Sequence, residues 1–139
     1  MASEENRKNI KAELTKISQL LLRVHKSLLQ FQKEKYEAQN EKSLTPYDVL
    51  HLSMSHEDFD WLRKITSLVV RMDESLDDDT TILEDLHRSV LTEVHSLFDE
   101  SDLYPDFKSK LKLAQSQDPM LVVQVLELKK NMGTPKLSS

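Results

Sequence analysis

Residues 10–31 read IKAELTKISQLLLRVHKSLLQF. Ile10, Leu14, Ile17, Leu21, Val24, Leu28 and Phe31 follow one another at alternating intervals of four and three. On an α-helix those intervals return an apolar side chain to one face, turn after turn. Leu20, Leu22, Leu29 and Tyr36 widen the stripe, so the helix has more than one face to cover. Neither Pro nor Gly interrupts the segment from about Asn6 to Gln39, and good helix formers make up most of its remainder. A helix of that extent is about 50 Å long, and the rest of the chain must pack against it.

Composition agrees with an all-α fold. The chain has 139 residues, enough for one domain with its own core. A single Gly leaves few positions for hairpin turns or phosphate-cradling loops. The net charge of -5 argues against nucleic acid and against an anionic membrane surface as partners. The polar start lacks a secretory core, and no apolar run approaches the roughly 20 residues of a membrane span. With no Cys, disulfides, thiolate catalysis and cysteine metal sites are all excluded, and a cytoplasmic location is expected.

Start and stop signals divide the remainder. Ser3 is placed to cap the first helix, and Thr45-Pro46 with Asp48 opens a short second one, drawn as a lid over one end of the bundle. Ser55 with Asp58 reads as the cap of a helix from His56 to about Ser75, bearing Phe59, Leu62, Ile65, Leu68, Val69 and Met72. The acidic run Asp77–Asp79 lacks the turn glycine of a calcium loop and reads as a solvated hairpin. Thr81 with Glu84 forms a capping box for a helix through Leu83, Leu86, Val90, Val94 and Phe98. Pro105 opens a shorter helix, and Asp118-Pro119 opens another through Val122, Val125, Leu126 and Leu128. Gly133 suits a C′ position, giving a single domain over 1–133 and a flexible tail over 134–139. The architecture is an antiparallel helical bundle: one long N-terminal helix, a lid, two core helices and two shorter C-terminal helices. The long stripe is covered either by those last two helices or by a second copy through a two-fold axis, and a homodimer is expected.

Val24-His25-Lys26-x-Leu28-Leu29, the Thr45-Pro46 start, and Phe59-x-Trp61-Leu62-Arg63 followed by Leu68-Val69-Val70-x-Met72-Asp73-Glu74 carry a resemblance. This pattern resembles a family of small bacterial all-helical proteins of unknown function, over roughly the first half of the chain. Members of that family have Asp-Pro near the Phe and a glycine after helix one; this chain has Glu57-Asp58 and no such glycine. The resemblance implies a helical fold and supplies no activity.

Polar residues on apolar faces are the candidate site. His25 lies among Leu21, Leu22, Leu28 and Leu29. Asp73 continues the row Leu62, Thr66, Val69, and His87 sits beside Leu83, Leu86, Val90 and Leu91. Measured from the helix-one/helix-two turn, His25, Asp73 and His87 fall about 22, 25 and 20 Å down, with Glu84 one turn from His87. They read as a buried hydrogen-bond network, or alternatively as a ligand pocket or a single divalent-metal site. Glu84-x-x-His87 has the spacing of bundle carboxylate sites, but the second such pair is absent and no cofactor is expected. Trp61, Arg63 and Lys64 are a candidate partner surface, set against partial burial of Trp61 under the second helix. His51 and His56 flank the bend as surface residues, and His95 with Asp99 reads as an exposed pair. These features favour a non-enzymatic protein-interaction or regulatory module, with a metal- or small-ligand-binding bundle as the alternative.

Overall fold

The structure, a computed structural model, describes residues 4–132. Ser3, Gly133 and the tail over 134–139 lie outside them. Among the described residues the chain forms six α-helices and no strand. Helix α1 is Glu4–Asn40, α2 Pro46–Ser55, α3 Arg63–Leu76, α4 Leu83–Phe98, α5 Pro105–Gln117 and α6 Pro119–Met132. A 3₁₀ helix, Glu57–Leu62, joins α2 to α3.

The stripe of α1 behaves as its spacing requires: Leu14, Leu21, Val24 and Leu28 are wholly buried. Helix α6 is the most extensive neighbour of α1, followed by α3 on another flank. The C-terminal helices therefore cover the face that the sequence left open for a second copy. Leu22 is the exception, pointing away from the core with 46% of its surface exposed. Burying each of the large apolar side chains contributes about 1.5–3 kcal/mol. Phe59 and Phe107 are among the largest that are fully enclosed.

Several start signals resolve differently from their sequence reading. Thr45 and Asp48 form the expected reciprocal capping box of α2, at 3.1 and 3.0 Å. The next element starts at His56 instead of Ser55: the His56 ring accepts from the Asp58 amide, and the first turn is 3₁₀. The Thr81/Glu84 box does not form. Ile82 precedes α4 without a side-chain cap, while the Thr81 carbonyl accepts from Arg7 and Glu84 accepts from Asn6. Arg7 also reaches the Asp79 carbonyl, so the loop over 77–82 is tied along the first turns of α1. That tie draws the start of α4 far down α1, and it decides the fate of the predicted polar centre.

Candidate functional site

The predicted centre of His25, Asp73, His87 and Glu84 does not assemble. Gln32 and Trp61 are bonded to each other, which fixes the height of α3 against α1. From that level His25 lies seven residues along α1 and Asp73 twelve along the opposing chain, a difference of roughly 8 Å. Asp73 is also exposed. The buried residues of α3 are Ile65, Leu68, Val69 and Met72, and Asp73 stands about 90° around the helix from the middle of that set. The row Leu62, Thr66, Val69 that Asp73 continues runs along the flank of the buried face.

His87 faces Glu13 of α1, with Nε2 3.0 Å from the carboxylate. Glu13 precedes His25 by twelve residues, about 18 Å along α1. Glu84 instead accepts from Asn6 at 3.5 Å, at the first turns of α1. Among the described residues, no three His, Asp or Glu side chains come close enough to hold a metal ion. His25 is half-buried, and desolvation lowers its pKa from the ordinary 6.5. His95 does not pair with Asp99: its Nε2 is buried without a hydrogen-bond partner, and Asp99 is held by Ser101 and Lys108. Those partners bring the Asp99 carboxyl down to about 2, the Ser101 hydroxyl first and the Lys108 ammonium next.

Trp61 belongs to the core. Its ring lies 6.5 Å from Phe31 and 5.7 Å from Phe107, so α1 and α5 cover it and it is withdrawn from the partner surface expected of it. Its indole N–H donates to Gln32 Oε1 at 3.0 Å, and both side chains are 3% exposed. Buried N–H groups need such acceptors. Gln32 went unnoticed in the sequence although it follows Leu28 by four on the same stripe.

Arg63 and Lys64 do reach the surface. The Arg63 guanidinium bonds Asp60, the Ser53 carbonyl and the His56 carbonyl. Lys64 Nζ stands 4.6 Å over the ring of Tyr104. Tyr104 precedes Pro105 in the left-handed region, at φ 54, which no spacing rule foretells.

Two helices carry apolar side chains outward. In α2, Tyr47, Leu50 and Met54 share one exposed face, and no residue of α2 is buried. In α6, Leu121, Val125, Leu128 and Met132 are buried, while Met120, Val122, Val123 and Leu126 are 61%, 36%, 55% and 60% exposed. Val122 and Leu126, read from the sequence as core, instead line the outer side. No helix among the described residues is long and apolar enough to cross a membrane. No protein-family model matches the chain, and no curated protein or solved structure is found similar to it.

Proposed function

We propose that this protein is a non-enzymatic interaction or regulatory module of the cytoplasm, one of a class of small bacterial helical proteins, working as a homodimer paired through α6. The observation that supports the pairing is the outward ridge of α6. A helix that is apolar on both sides belongs between two partners, and among the described residues only the inner side of α6 has one. Charge favours an antiparallel two-fold arrangement. Asp118 precedes the helix and Lys129 and Lys130 end it, so antiparallel pairing brings each acid toward the other copy's lysines.

The ridge from Met120 to Leu126 runs about 9 Å along the helix axis and is about 10 Å wide, far smaller than the roughly 800 Å² per partner of a standard stable interface. The dimer is therefore of the exchanging kind. Helix α2, with Tyr47, Leu50 and Met54 outward, is left as the face for a different protein.

Light scattering and sedimentation over a range of concentrations test the pairing. The wild-type chain shifts toward twice the monomer mass as concentration rises. The double variant Val123→Asp/Leu126→Asp stays monomeric with an unchanged helical spectrum. A wild-type chain that is monomeric at every concentration, or a variant that still dimerises, refutes pairing through α6.

A further inference from the structure

Arg63, Lys64, Ser67 and Arg71 share one face of α3, since their spacings keep them within about a third of a turn. That face forms one wall of a cleft of about 430 Å³; α4 contributes Glu93 and the loop before α5 contributes Tyr104. Leu68 and Leu97, 3% and 2% exposed, form its floor. The volume falls in the range of small-molecule sites and far exceeds the needs of a bare ion.

The charges in the cleft do not balance. Arg63 is paired with Asp60, and Arg71 reaches across to Glu93 on α4. These pairs hold a guanidinium at either end. Lys64 stands between them on the Tyr104 ring, with no carboxylate in ion-pair reach among the described residues. Three cations thus face two carboxylates, leaving one excess positive charge in a chain of net charge -5. A walled cleft with an uncompensated cation concentrates positive potential. Tyr104, whose backbone lies in the left-handed region, is the residue whose ring seats Lys64.

We infer that this cleft binds a small organic oxyanion, a carboxylate or a phosphate ester. The oxyanion accepts hydrogen bonds from Lys64 Nζ and Ser67 Oγ, and the ligand's apolar part rests on Leu68 and Leu97. Charge-assisted donation from an ammonium with no competing carboxylate is the strongest polar contact the cleft offers. None of the α6 ridge residues lines the cleft, so the inference stands apart from the dimer.

Amide NMR titration at low ionic strength tests it, with phenyl phosphate and benzoate as ring-matched probes and sodium chloride as the ionic-strength control. Saturable shifts at Lys64, Ser67, Glu93 and Tyr104 with at least one probe, not reproduced by chloride, are expected. Tighter binding of phenyl phosphate assigns the phosphate class, and tighter binding of benzoate the carboxylate class. Lys64→Ala weakens binding by about tenfold or more, while Lys64→Arg retains most of it. Lys64 is exposed, so both variants are expected to melt with the wild type. Absence of saturable shifts with either probe, equal shifts with chloride, or full affinity in Lys64→Ala overturns the assignment.

Discussion

Replacing Gln32 by Leu tests what holds α1 to the segment leading into α3. Leucine has nearly the reach of glutamine, so little cavity opens, and the main loss is the acceptor 3.0 Å from the Trp61 indole nitrogen. Both side chains are 3% exposed, so water cannot readily take the acceptor's place. An unmet buried donor costs about 1–3 kcal/mol, and the added apolar burial of leucine offsets up to about 0.8 kcal/mol. The net expectation is about 1–2 kcal/mol, or roughly 3–7 °C in melting temperature for a chain of this size. Trp61→Phe removes the donor and strands the Gln32 amide in turn. Removing both partners avoids stranding either, so the double variant should be more stable than the sum of the single losses by about 1 kcal/mol. Urea unfolding followed by far-UV circular dichroism reads all four proteins on one scale, which fluorescence cannot do because Trp61 is the sole tryptophan. Strict additivity, or a Gln32→Leu protein within about 0.3 kcal/mol of wild type, would refute the argument.

Two further outcomes follow from the same geometry. Burial lowers the His25 pKa from 6.5, so the unfolded chain binds more protons in the window below that value. The His25 contribution to stability is therefore full above pH 6.5 and is lost as pH falls toward the depressed folded value; urea midpoints measured across that window should decline less steeply in His25→Gln, and an unchanged decline would remove His25 as a source. Thr45→Ala breaks the reciprocal cap of α2, and because α2 buries no side chain the damage should stay local. Amide exchange over 46–55 should speed several-fold while the global unfolding midpoint holds, and a large global loss would mean that α2 is cooperative with the core.

The long helix, the all-α class and the helix starts at Thr45-Pro46, Pro105 and Pro119 were legible because they rest on local rules. A four-three rhythm names a face, and proline tolerates a helix only near its first turn. The polar centre failed because depth in a bundle is not local. Counting downward from the first turn assumed that helices stack end to end, whereas the 3₁₀ helix and the Arg7-tied loop over 77–82 reset both heights. Asp73 stands about a quarter turn from the middle of the buried face of α3, and that suffices to put it outside.

Gln32 sat in plain view on the α1 stripe, yet only the arrival of Trp61 from 29 residues away makes it an acceptor. Likewise the apolar run of α6 reads as a buried helix on either side, and only the docking of α6 on α1 chooses Leu121 and Val125 for the core and leaves Val123 and Leu126 outward. The spacing of side chains along one helix, then, set which elements exist and roughly where they begin. Which residues are core and which face solvent was decided by the heights and rotations of whole helices against each other, because those depend on contacts between distant parts of the chain that no local periodicity contains.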